Sequence, residues 1–469
     1  MTTRFFLRLG ALGTRWLPFA DAASPELPLS RLLRLGLLQG TVGMSLALLA
    51  GTLNRVMIVE LAVAAVLVAV LLALPMLLAP LRALIGHRSD QHRSAFGWRR
   101  VPYLWFGTLA QFGGFAILPF GLLLLSEAVT PAVRVTATVG AALGFLMVGL
   151  GAHTVQTTGL ALATDLAAPA QRPRVVALLY LLFLAGMLAS AFAFSLLLRD
   201  YTPVRLIQVV QGAALVTVFL NVCALWKQEP RDLERAKGGA EALPFREAWK
   251  ALTEARASGR LFAAVGLGAL GFGMQDVLLE PYGGEILRLG VGTTSGLTAL
   301  AAFGALGALA LSARALERGF DPYRLAALGA LGGAFALAAV ILAAPLRAPW
   351  LLQTGSAVIG FGGGLFTVGT LTAAMGLDDG ERHGLVMGAW GAVYTTSAGL
   401  AVAAGGLLRD AVLHASGSTG AFAGYSIVYH LEILALFLAM VAIGPLTRPV
   451  GHRPARPDTG VFGLAEFPS

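Results

Sequence analysis

A few side chains able to do chemistry stand inside long apolar stretches of the sequence. Gln275, Asp276 and Glu280 share one such stretch. Asp276 and Glu280 are four apart, so a helix projects both from one face. Two carboxylates placed like that repel each other, and can bind a proton or face a cation. Asn54 and Arg55, near the end of the first stretch, are their expected partners. A structural ion pair near the membrane surface is the alternative for the same residues. His153, with Gln156 and Thr157, forms a second cluster on the way to Thr164 and Asp165. It precedes Asp165 by about 18 Å of helix, which puts it near mid-membrane. A neutral imidazole there can ligate a metal through one nitrogen, or serve only as a hydrogen-bonded packing residue. His430, with Glu432 two residues on, is the secondary candidate. Charge at membrane depth is expensive, so each of these residues is a candidate for function.

Other chemistry is missing. The sequence has no Walker pattern, no His-Glu-x-x-His, no nucleophile elbow, and a single cysteine, Cys223. It reads as a protein that is not an enzyme and binds no nucleotide. Gly266, Gly268 and Gly271 repeat the dinucleotide-binding spacing, but no strand precedes them and their surroundings are apolar. They are assigned to helix packing, as are the four-residue pairs Gly36/Gly40, Gly140/Gly144 and Gly360/Gly364.

The elements that must position these residues follow from composition. Of 469 residues, 57% are hydrophobic and 13% charged, about half the charge of an ordinary soluble domain. Mean hydropathy is +0.76. A disordered chain and a soluble enzyme are excluded. Apolar stretches at 33–57, 63–85, 102–125, 132–163, 175–198 and 204–226 are followed by 260–287, 294–315, 322–344, 350–375, 385–408 and 421–446. Each can cross the hydrocarbon layer, and unpaired backbone groups in lipid require helices. The expected fold is all-α, a bundle of twelve transmembrane helices in two six-helix halves.

The expected organisation is an amphipathic segment over 1–30, halves over 31–227 and 260–446, a central loop over 228–259, and a tail over 447–469. Of the 34 basic residues, 27 fall on the side of the termini and 7 on the other. That asymmetry makes both termini cytoplasmic. The net charge of +9 then sets orientation and attracts anionic phospholipids, and nucleic acid is not an expected partner. Phe5, Phe6, Leu9, Leu12 and Trp16 alternate with Arg4, Arg8 and Arg15, without a small-residue cleavage site. They suit an interfacial helix, as does the segment around Phe245, Trp249, Leu252 and Arg256.

The halves repeat weakly. Residues 171–176 (QRPRVV) match 381–386 (ERHGLV), and Gly43-Met44 matches Gly273-Met274. The loop after the second stretch holds Gly86, Arg88, Asp90, Arg99 and Arg100, a candidate cytoplasmic gating loop. It resembles the major-facilitator signature, with Gln91 and Arg93 where Arg and Gly are usual. Arg314, Glu317, Arg318 and Gly319 are its degenerate second-half counterpart.

Several longer strings resemble one branch of that superfamily, the PucC/LhaA or bacteriochlorophyll delivery family. They are 51–60 (GTLNRVMIVE), 82–90 with 97–103 (GWRRVPY), His153 with Gln156 and Thr157, 163–165 (ATD), 172–176 (RPRVV) and 273–282 (GMQDVLLEPY). The resemblance covers roughly 30–445 and is closer to the LhaA type. It implies an assembly factor for purple-bacterial light-harvesting complexes, the core antenna preferred, in the intracytoplasmic photosynthetic membrane. The implied cofactors are bacteriochlorophyll and carotenoid. The implied partners are the antenna α and β polypeptides, the reaction centre and bacteriochlorophyll synthase. By the same resemblance His153, Gln156, Thr157, Asn54, Arg55, Gln275, Asp276 and Glu280 become pigment-site or cavity residues. His153 is chemically able to meet the pigment's Mg²⁺. A proton-coupled secondary transporter is the alternative, and a pigment-free scaffold a third reading.

Overall fold

Without water to satisfy the backbone, apolar runs of this length must close their hydrogen bonds internally, and they do so as helices. The computed structural model describes residues 27–78, 89, 98–126, 130–167, 171–229, 256–376, 383–416 and 420–447. The first half comprises α1 (Leu29–Glu60), α2 (Ala65–Leu77), α3 (Val101–Ser126), α4 (Pro131–Leu166), α5 (Arg172–Leu197) and α6 (Pro203–Leu225). In the second half the first span is split into α7a (Arg256–Gly273) and α7b (Leu279–Glu285). It continues with α8 (Val291–Glu317), α9 (Pro322–Ala343), α10 (Pro349–Met375), α11 (His383–Ser416) and α12 (Ala421–Ile443). Among the described residues eleven spans are long and apolar enough to cross a membrane. The shorter apolar α2 lies where another was expected. Several helices start on a capping oxygen with proline next: Thr130 before Pro131, Thr202 before Pro203 and Asp321 before Pro322.

The packing repeats. In the first half α1 lies against α4, α5 and α6, α3 against α4 and α6, and α2 against α4. Adding six to every number gives pairs that also pack in the second half. The halves meet most extensively through α2 with α11 and α5 with α8, pairs that the same shift exchanges. The Gly43 and Gly273 match has its reason here. A Cβ on Gly43 would stand 2.8 Å from the Met187 backbone nitrogen of α5. On Gly273 it would stand 2.9 Å from Ala401 Cβ of α11, the helix equivalent to α5. Gly268 and Gly271 press against Phe366 and Leu436, as packing glycines do. Polar residues of α1 are stitched to their neighbours: Thr41 donates to Asn221 at 2.8 Å and Ser45 to Gln111 at 3.0 Å. One apolar core crosses both halves where α1 ends, around Leu53, Phe194, Val277 and Tyr282.

Candidate functional site

Two helices depart from regular geometry where they face each other. In α1 the hydrogen bonding opens to π register over Ala47–Leu53 and Val56–Glu60, with Asn54 and Arg55 between. The seventh span tightens to a 3-10 turn over Met274–Val277. Such breaks free backbone groups that need partners at membrane depth. Glu432 of α12 accepts from the Gln275 backbone N–H at 2.7 Å, and Asn54 donates to the Asp276 carbonyl at 3.1 Å. Thr52 of α1 and Ser295 of α8 share a bond of 3.0 Å. Thr298 of α8 donates to Glu280 Oε1 at 2.6 Å. Gly51 permits this arrangement, since a Cβ there would lie 2.6 Å from Thr298 Oγ1 and 2.7 Å from Glu280 Oε1.

Arg55, expected beside Asp276 and Glu280, forms its ion pair with Glu60 and donates to the Leu289 carbonyl at 3.1 Å. The π register explains the choice, because its i→i+5 bonding brings residues five apart onto successive turns. Asp276 and Glu280 do not share an environment. Asp276 is exposed and bonded to the Gln275 amide, whereas Glu280 is buried against α8. The 3-10 turn beneath Glu280 shifts the rotation that a continuous helix would give. Four buried atoms here, Glu280 Oε2, Asn54 Oδ1, Arg55 Nε and Glu432 Oε2, have no hydrogen-bond partner among the described residues.

At the same end a second network joins the halves. Arg409 of α11 pairs with Glu285 of α7b and with Asp410, and the Tyr425 hydroxyl donates to Glu285 at 2.7 Å. Asp410 Oδ2 accepts from the Val66 N–H at 2.7 Å, in the first turn of α2. A carboxylate at a helix N-terminus is favoured by the exposed N–H groups and the dipole.

The other candidates lie apart from this junction. His153, Gln156 and Thr157 are half-buried on α4, and the Gln156 carbonyl accepts from the Gln39 amide at 3.3 Å. His430 is exposed and bonded to Ser426 of its own helix, while Glu432 points inward to the α7 break. Arg99 and Arg100 pair with Asp165 at 3.3 and 3.1 Å. Arg100 also donates to Ser89 at 2.6 Å, and Glu229 accepts the N–H groups of Arg99, Arg100 and Val101. Gly86, Arg88 and Asp90 lie outside the described residues, as do residues 1–26 of the expected amphipathic segment 1–30 and Phe245, Trp249 and Leu252 of the second interfacial segment, whose Arg256 begins α7a. Sequence reasoning missed Glu60, Thr298, Ser295 and the Glu285–Arg409–Asp410 network. Glu285 and Arg409 were nonetheless visible as charges at the ends of apolar stretches.

Two aromatic pairs stack, one in each half. Trp390 and Tyr394 of α11 stack with centroids 5.1 Å apart, and Tyr180 stacks on Phe183 of α5 at 5.7 Å.

The bundle has the major-facilitator fold. It is similar to a crystal structure of the nucleoside transporter NupG (TM-score 0.65, 13% identity, 88% of this chain and 99% of that one). A bacterial homologue of the lysosomal transporter Spinster, inward-facing and unoccupied, is also similar (TM-score 0.63, 15% identity, 92% and 96%). These likenesses define a multi-pass membrane protein of transporter architecture. Within that class, the chain belongs to the PucC family: the family model "PUCC protein" matches residues 52–450. It is 52% identical to "Protein PucC" of Rhodovulum sulfidophilum, over 86% of this chain and 90% of that one. It is 50% identical, over 98% of each, to an "Uncharacterized protein in puhA-bchM intergenic region" of Rhodobacter capsulatus. A third relative, "Bacteriochlorophyll synthase 44.5 kDa chain" of the same species, is 31% identical over 79% of this chain and 85% of that one.

Proposed function

We propose that this protein is a non-catalytic assembly factor for light-harvesting complexes, with the core antenna as its client. It binds bacteriochlorophyll, delivers it to the antenna α and β polypeptides, and aids their oligomerisation. The observation that carries this reading is membership of the PucC family over 52–450. The relative named for bacteriochlorophyll synthase supports a pigment as cargo. On this reading the protein sits in the intracytoplasmic photosynthetic membrane with its basic loops in the cytoplasm, against anionic phospholipids. The reaction centre and bacteriochlorophyll synthase are neighbours, and carotenoid is a second pigment. The pigment's Mg²⁺ takes an axial donor, and the half-buried imidazole of His153 can supply one.

The test is purification from pigmented membranes, with the absorption spectrum recorded and the accompanying polypeptides identified. Bacteriochlorophyll and core-antenna subunits are expected in the wild type, and less pigment in His153→Leu. Pigment-free protein, together with normal antenna levels in a deletion strain, would overturn the proposal. The likeness to transporters favours one second reading, a proton-coupled carrier using Asp276, Glu280 and Asp165. Proton-driven solute uptake in liposomes would establish it instead.

A further inference from the structure

Among the described residues that α12 exposes, Ile427, Leu431, Leu434, Phe437, Leu438 and Val441 are apolar, and His430 is the one polar member. Glu432, two residues on, turns inward to the Gln275 N–H at 2.7 Å. Two residues are about 200° of helix, so His430 points the opposite way, out of the bundle. It lies about 14 Å of helix from Ala421 and about 20 Å from Ile443. That depth is within the hydrocarbon layer, where a polar group facing outward is expensive. The His430 Nδ1 stands 2.7 Å from the Ser426 carbonyl oxygen, which can only accept. The proton is therefore on Nδ1, and because a charged imidazolium is costly at this depth, Nε2 keeps its lone pair. Among the described residues Nε2 has no hydrogen-bond partner. His414 makes the same bond to the Asp410 carbonyl at 2.7 Å, but it stands two residues from the end of α11, where water can serve the other nitrogen. His430 has only apolar side chains and lipid beside it.

We infer that the outer face of α12 is a pigment site, in which His430 Nε2 is the axial ligand to the Mg²⁺ of bacteriochlorophyll. The inference rests on the pigment reading above and adds to it a site open to the membrane. A histidine that ligates metal ordinarily donates its other ring N–H to a carboxylate, a water or a backbone carbonyl, as this one does to Ser426. Among the described residues no three His, Cys, Asp or Glu side chains come together to hold a bare metal ion. A metal already held by a macrocycle needs only one further donor, which this face offers. Ile427 and Leu431 flank the imidazole and Leu434 lies one turn on, so the ring and its hydrocarbon tail rest on apolar surface. A pigment held there can leave along the membrane plane without the bundle opening.

The full-length protein in nanodiscs is titrated with bacteriochlorophyll a and, separately, with metal-free bacteriopheophytin a. Wild-type and His153→Leu backgrounds are both used, so that ligation at His153 cannot hide a loss. His430→Leu is expected to raise Kd for bacteriochlorophyll a at least about tenfold, the lower end of what even outer-shell losses cost a metal site. Its affinity for bacteriopheophytin a should not change. In His430→Gly, added imidazole is expected to restore both the affinity and the resonance Raman signature of five-coordinate Mg²⁺. His414→Leu is the control and stays at the wild-type value. Wild-type affinity for bacteriochlorophyll a in His430→Leu, in both backgrounds, would overturn the α12 site and leave pigment binding intact. Equal weakening for both pigments would also overturn ligation, because the loss would then be one of packing. A wild type that binds neither pigment would overturn the pigment reading and this site together.

Discussion

Gly51 illustrates how much a membrane-embedded polar contact depends on a side chain that is absent. Its Cα faces Glu280 and Thr298 closely enough that a single methyl group would occupy the space their bond needs. Glu280 is buried and Thr298 half-buried, so displacement leaves the carboxylate under-satisfied. Gly51→Ala is therefore expected to lower stability by about 1–3 kcal/mol, the usual cost of overpacking. The control is Gly212→Ala in α6, where a Cβ meets nothing within 4 Å. Thermal unfolding in one detergent compares the two. Equal midpoints for both variants would show that the α1–α8 contact accommodates the methyl and that Gly51 has another role.

At the scale of the element, the irregular stretches of α1 and α7 hold because other helices satisfy what they free. Glu432 lies on α12 and yet completes the backbone of the α7 turn, through the Gln275 N–H. A buried donor without a partner costs about 1–3 kcal/mol. Glu432→Leu should thus destabilise the protein by that amount, while Glu432→Gln, which retains an acceptor oxygen, should stay near wild type. Amide exchange at Gln275 is the direct measurement, and protection unchanged in the leucine variant would refute the assignment. The same elements mark where sequence reasoning stops. Span positions were legible because lipid imposes a length and an apolar composition on every crossing helix. Arg55 was legible as an expensive charge, but its partner was not. Glu60 is five residues away, a spacing that π register brings round toward Arg55. The shared face expected for Asp276 and Glu280 failed for a related reason, since the turn between them was invisible in the local pattern.

In the whole molecule, the matching glycines at 43 and 273 already announced two similar halves, because each serves the same close helix approach. The bonds between the halves carry no such periodic trace. Among the described residues, four stand at the end where α1 finishes: Thr52 with Ser295, Arg55 with the Leu289 carbonyl, Asn54 with the Asp276 carbonyl, and Asp410 with the start of α2. Of these, the Asp410 bond joins α11 to α2, one of the two helix pairs that pack most extensively between the halves. Removing it should make opening at that end easier without touching either half's own core. Asp410→Ala is expected to raise the open population about tenfold, for a lost contact of about 1.4 kcal/mol. The reporter is Ser295→Cys in a Cys223→Ser background, since Ser295 is only 1% exposed and becomes reachable by a membrane-impermeant maleimide when α1 and α8 part. Labelling should accelerate in Asp410→Ala and stay slow in Asp410→Asn, which keeps an oxygen for the Val66 N–H. If all three label at one rate, the halves are not held at this end by Asp410. The α5–α8 and α2–α11 packing would then be sufficient to keep it shut.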